Sequence, residues 1–210
     1  MSNQTQASPP AAGSPRQGSV ATNFGLVAWI IYGVLTAHGH WVAGAIAGLA
    51  VFAVILAHEY RKDAVKLMDC VAAIFFAAAA AISALAGPWL FQHFNIFMIW
   101  GIFAAVAWIT LLIGRPFTLQ YAREQAPPEI WEHPLFMRLN VILTAVWCGI
   151  LTVNAMFGFV AFLTGRLLSF GLLIPLTVMI FGFVFSARYP KRFEAQFAAA
   201  AAPARAEGAG

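Results

Sequence analysis

Charge is what this sequence has least of: only 10% of its 210 residues are Asp, Glu, Lys or Arg, while 61% are hydrophobic. That is more apolar surface than one water-soluble core of this size buries. The shortage is unevenly spread, because residues 17–58, 70–114, 139–165 and 167–187 carry no charged residue at all. Cysteine is as scarce. Cys70 and Cys148 stand far apart and outside any spaced cysteine motif, so no disulfide is expected. Also missing are a Ser/His/Asp set, a phosphate-cradling glycine loop, a desaturase-type histidine box and a lysine within an apolar run that suits a retinal Schiff base. Nothing in the sequence supports an enzyme, so neither catalytic residues nor a cofactor is expected.

What the sequence does have is length in its apolar runs. A helix needs about 20 mainly apolar residues to cross the hydrocarbon core of a bilayer. The last two uncharged stretches suit one crossing each, and the first two are long enough for two each. Turn residues near the middle of each long stretch, His38-Gly39-His40 and Gly87-Pro88 followed by Gln92, His93 and Asn95, mark them as hairpins. The expected fold is all-α: a polytopic transmembrane helical bundle of six spans at about 22–37, 42–57, 67–87, 95–114, 139–163 and 167–187. Five spans with a re-entrant or interfacial first segment is the alternative.

Orientation follows from the basic residues. In the six-span arrangement, eleven of the twelve Lys and Arg residues fall on one side and Arg166 alone on the other. Positive loops stay in the cytoplasm, so both termini are expected inside, as in a multi-pass protein of a bacterial inner membrane. The net charge of +4 does not call for nucleic acid as a partner, because these cations flank the spans and meet the lipid bilayer.

Residues 1–21 and 194–210 are low in complexity and are expected to be cytoplasmic tails, the first of them disordered. No convincing cleavage site ends the first apolar run, so the first hairpin is expected to be retained. Between the tails lies a transmembrane domain over 22–193 with one substantial cytoplasmic loop, 115–138. In that loop Phe117, Leu119 and Tyr121 alternate with polar residues before Pro127-Pro128, which suggests a stretch lying on the headgroup region. Gly44 and Gly48 form a small-residue pair that serves helix packing within the bundle or, alternatively, a seam in a homo-oligomer. Pro175 is expected to kink the last span.

Few residues offer chemistry. Asp69 lies about one turn inside the third span, where an intramembrane carboxylate invites a proton- or ion-coupling role; a local pair with Lys66 is the simpler account. His58 and Glu59 sit at the edge of the second span, where an interfacial role suffices. His38, His40 and His93 share the opposite side, but a His-x-His spacing plus one distant histidine is a weak metal signature, and no metal is expected. Asn140 and Asn154, fourteen residues apart on the fifth span, come about 40° apart around the helix. That shared face suits interhelical hydrogen bonding or, alternatively, a polar solute path.

The order of features over about 24–189 resembles the bacterial intracellular septation protein A family of small inner-membrane proteins. The matching positions are Tyr60-Arg61-Lys62 after the second span, Arg115-Pro116-Phe117, Pro128 and Trp131 in the loop, then Leu139-Asn140, Trp147 and Asn154. The resemblance implies a non-enzymatic protein of septation and envelope biogenesis, acting through contacts with division or cell-wall elongation proteins. Arg115 and Trp131 join Asp69, Asn140 and Asn154 as candidate functional residues. The long Ala/Pro tails and the segment Phe117–Glu124 depart from the family pattern. A small-solute or proton-coupled transporter or channel is the alternative, motivated by the spans, Asp69 and the asparagine face.

Overall fold

The computed structural model describes residues 20–193, with side chains from residue 25 onward. The two expected tails lie outside the described residues, except that residues 20 and 21 begin the first helix. Every regular element among the described residues is helical. In chain order they are α1 (Val20–Ala37), α2 (Trp41–Tyr60), α3 (Leu67–Leu85), α4 (Trp89–Leu112), α5 (Thr118–Gln125) and α6 (Pro134–Thr164). A π-helical stretch, Leu167–Leu173, then runs into α7 (Ile174–Arg188).

Five of these are long and apolar enough to cross a membrane: α2, α3, α4, α6 and the continuous stretch Leu167–Phe193. No more than 39% of any of their apolar windows is buried inside the chain. The remaining apolar side chains, among them Val54, Ile74, Leu112, Met156 and Phe181, face outward, where water would penalise them and lipid would not. α1 is one uninterrupted helix of 18 residues, apolar over Gly25–Ala37, where its side chains are described.

Two boundaries differ from the sequence expectation. α4 begins at Trp89, not near 95, because Gly87 in the left-handed region (φ 81°) and Pro88 complete the turn by themselves. Gln92, His93 and Asn95 are therefore helical. α6 begins at Pro134, not 139: proline suits a first helical position, where its missing N–H costs nothing, and the His133 ring caps the turn by accepting from Leu135 N at 3.2 Å. Pro175 also acts differently from a simple kink. Having no N–H to give the Gly171 carbonyl, it stands just after the widened π-helical turn, and α7 restarts from there.

The helices pack as two three-helix units. α1, α2 and α3 form one, around Phe76, which is fully buried among Trp29, Tyr32, Phe52 and Phe75 with ring centroids 4.6–5.7 Å away. Gly44 meets Tyr32, Leu35 and Thr36 of α1, and Gly48 meets the Phe76 ring of α3, so this small-residue pair is used up inside the unit. α4, α6 and α7 form the other unit. Gly158 lets the α6 backbone approach α4 so closely that a Cβ there would lie 2.8 Å from Phe97 N. α3 and α4, which join the units in sequence, make less backbone contact than the α1–α2, α2–α3, α4–α6 or α6–α7 pairs, but side chains bridge them: Phe91 of α4 packs on Phe75 at 5.9 Å, and Met68 of α3 packs with Ala104 and Ala107.

Candidate functional site

Two features lie where the units meet: a charged cluster at the end bearing the basic loops, and a cleft running away from it. The cluster begins with Glu59 on the last turn of α2. Its carboxylate accepts from the backbone N–H of Lys66 at 3.1 Å and from the Lys66 ammonium at 3.2 Å, closing the α2–α3 loop on itself. Both side chains are almost fully buried, at 3% and 4% exposed. The interfacial role expected for Glu59 is thus replaced by a buried one. An isolated charge at that depth would be costly, so the pairing is what makes the burial tolerable.

The other unit contributes α5. Glu124 places a carboxylate oxygen 3.0 Å from the same ammonium, the Tyr121 ring lies under it at 5.6 Å, and Gln120 Oε1 accepts from Leu67 N at 3.0 Å. These three side chains stand one and three residues apart on a two-turn helix, so they share a face turned toward α2 and α3. The expected headgroup stretch is therefore a strap across the two units. Burial alone would lower the Lys66 ammonium, but the hydrogen bonds and charges of Glu124 and Glu59 outweigh it and hold the group above its usual range. Burial, then the negative field of Asp69, Glu59 and Glu124, pushes the Tyr121 phenol up.

Asp69 stands one turn into α3, half-buried and near the Glu59 carboxylate. It also faces a cavity of about 230 Å³ whose wall includes Trp29, Phe52, Phe103 and Tyr121. That cavity shares Leu26, Trp29 and Phe103 with a cleft of about 800 Å³ between α1 on one side and α4 with the π-helical stretch on the other. The cleft wall is apolar except where Tyr32 Oη donates to Asn95 Oδ1 at 2.9 Å. Leu26, Leu167, Leu168 and Leu172 on its rim are exposed, so it opens on the apolar surface of the bundle. Gly171 keeps the π-helical wall close to α4, since a Cβ there would meet the tip of Ile96 at 2.7 Å.

The remaining candidates lie elsewhere. Asn140 Nδ2 donates to Phe136 O of its own helix at 2.9 Å, not across a helix pair, while Thr118 of α5 donates to the Asn140 carbonyl. Asn154 does reach across, to Pro175 O, but at 3.5 Å. Both amides are fully buried with Oδ1 unpartnered, and neither lines the cavity or the cleft. Arg115 is exposed. Trp131 donates to Ala126 O at 3.0 Å and stacks under Arg123 at 5.4 Å, which fixes the loop after α5. At the opposite end, His38 and His93 each turn Nδ1 to a carbonyl of their own helix at 2.8 Å, and no group of metal-ligating side chains occurs among the described residues.

Of the cluster, sequence reasoning found Asp69 and named Lys66 as its neighbour. It gave Glu59 an interfacial role and Tyr121 a place on the headgroup region, and it did not single out Gln120 or Glu124. The available signal was an acidic residue closing an otherwise uncharged span, together with the spacing of Gln120, Tyr121 and Glu124 had residues 118–125 been read as helix. Compared with protein-family models, with curated proteins and with solved structures, the chain finds no match in any of the three.

Proposed function

We propose that this protein is a carrier of small amphiphilic molecules, holding them in the cleft between its two three-helix units. The observation that supports this reading is the cleft itself. Its volume of about 800 Å³ is in the range of ligand sites, its wall is largely apolar with a polar pair to orient an occupant, and it lies where the two units meet. A cleft opening on the lipid-facing surface admits molecules already dissolved in the bilayer.

The proposal includes six crossings, with α1 as the first, and a bacterial inner membrane with the basic ends of the helices in the cytoplasm. α1 spans about 27 Å at 1.5 Å per residue and packs along α2, and the eleven-to-one division of Lys and Arg favours that orientation. The resemblance to septation proteins implies contacts with division or cell-wall elongation proteins, for which loop 115–138 and the packed helical faces would be the surfaces. That loop spends Gln120, Tyr121 and Glu124 on its own chain, which favours the carrier over the scaffold.

The test uses the full chain in nanodiscs of digalactosyl lipid, which offers neither charge nor ammonium. A neutral single-chain amphiphile with a brominated tail should quench tryptophan fluorescence saturably, because Trp29 and Trp100 line the cleft. Gly33 also lines it, and a Cβ there meets nothing within 4 Å, so Gly33→Leu should fill the space without disturbing the fold and remove the saturable component. Quenching that rises linearly and equally in both proteins would refute the cleft as a binding site.

A further inference from the structure

The small cavity beside Asp69 differs from the cleft it joins in what surrounds it. Four aromatic rings, Trp29 and Phe52 from the first unit, Phe103 from α4 and Tyr121 from the strap, line about 230 Å³ together with one carboxyl. Such a combination attracts one class of group. Ring faces carry negative potential, and a weakly hydrated ammonium bearing alkyl groups gains from several faces at once while losing little hydration. A carboxyl at the same wall supplies the counter-charge. A neutral apolar group would gain nothing from Asp69, and an anion would be repelled by it.

The charge count of the cluster points the same way. Glu59, Asp69 and Glu124 are three carboxyls around one ammonium, Lys66, and that ammonium already sits at 3.2 Å from Glu59 and 3.0 Å from Glu124. An organic cation entering beside Asp69 brings the positive charge this group of four is short of. The walls shared by the two spaces, Leu26, Trp29 and Phe103, leave the rest of the molecule in the apolar cleft.

We infer that the cavity beside Asp69 is the head-group site of the carrier, and that its ligands are lipophilic organic cations: an alkylated ammonium between the four rings and Asp69, with an apolar body lying in the cleft. This assignment rests on the carrier reading and adds the charge and shape of the ligand. A quaternary ammonium of that kind is offered both by simple cationic amphiphiles and by choline lipid head groups, and the two differ in the phosphate that only the second carries.

The experiment compares three probes with one dodecyl tail in the same galactolipid nanodiscs, each displacing the brominated amphiphile. They are dodecyltrimethylammonium, its neutral isostere ending in a tert-butyl group, and dodecylphosphocholine. The cation should bind about tenfold more tightly than the isostere, and Asp69→Asn, which keeps the four rings, should lower that ratio severalfold while leaving the isostere unchanged. Phe103→Leu keeps the carboxyl and should lower the ratio of the two affinities severalfold, which decides the matter should Asp69→Asn fail to fold. Dodecylphosphocholine should bind less tightly than the cation; equal or tighter binding would overturn the simple cation in favour of a lipid head group. Equal affinity for cation and isostere in the unmodified protein overturns the inference and leaves the carrier reading standing. Saturable binding of none of the four amphiphiles removes both.

Discussion

The Lys66 ammonium lies 3.0 Å from the Glu124 carboxylate, and through that contact a loop helix of the second unit is fastened to the base of the first. Lys66→Met would leave the 3%-exposed Glu59 carboxylate without its ammonium, and removing one partner from a buried pair costs about 3–5 kcal/mol. Glu124 is 33% exposed, so water replaces part of what Glu124→Gln loses, and about 1 kcal/mol is expected there. Thermal unfolding of the two variants in detergent checks the order. Equal losses would mean that the strap carries as much as the loop pair.

Alkaline pH should act on the same cluster. The folded state holds Lys66 above its usual value of 10.5, so its contribution is fully present below about that pH and is lost as pH rises through the higher folded value. Tyr121 works in the same direction: the unfolded phenol ionises near its usual 10.0 while the folded one resists, which favours unfolding above that pH. Melting temperature followed across pH 9–12 should fall less steeply for Tyr121→Phe than for the unmodified protein. Parallel curves would show that Tyr121 contributes nothing to the slope.

Close helix approach should be visible at one glycine and absent at another. Gly158→Ala puts a methyl group 2.8 Å from the Phe97 backbone nitrogen, and a backbone cannot swing aside as a side chain can, so a loss of about 1–3 kcal/mol is expected. Gly101→Ala, in α4 with nothing within 4 Å, should be neutral or stabilising by up to about 1 kcal/mol. Denaturation of the pair in the same detergent gives the comparison.

Asn154 is the buried amide with least to lose. Its bond to Pro175 O is at the distance limit, and its Oδ1 has no partner, so Asn154→Leu removes an unmet acceptor while keeping the branched four-atom outline of the side chain. Unchanged or raised thermal stability is expected, with saturable quenching in the cleft retained. A loss of binding at full stability would restore the polar-path reading of this residue.

Orientation is open to direct measurement. Reporters fused after His38 and after Arg166 should both be active on the outer side of the membrane, and a reporter in the α2–α3 loop only on the inner side. A His38 reporter found inside would remove α1 from the set of crossings.

Helix positions were legible because lipid makes demands on every residue of a crossing. An uncharged run of sufficient length is itself the physical requirement, so the spans could be placed from composition, and the turns at Gly39 and Gly87 followed from their need for a left-handed backbone. The α4 and α6 starts were misplaced because polar residues in or capping a helix, Asn95 and His133 among them, read as loop until their partners, Tyr32 Oη and Leu135 N, are seen. Asp69 stood out for a similar reason: a carboxylate after an apolar run begins is conspicuous in one dimension.

By itself, then, the sequence determined how apolar this protein is, its helical class and the order of its apolar segments, since each depends on residues adjacent in the chain. Tertiary structure alone decided that Glu59 is buried, that Gln120, Tyr121 and Glu124 meet Leu67 and Lys66 across more than fifty residues, and that the halves leave a cleft between them. Pairing energies and empty volumes belong to groups brought together in space. The sequence carries the charges and the rings, and only packing says which of them share a wall.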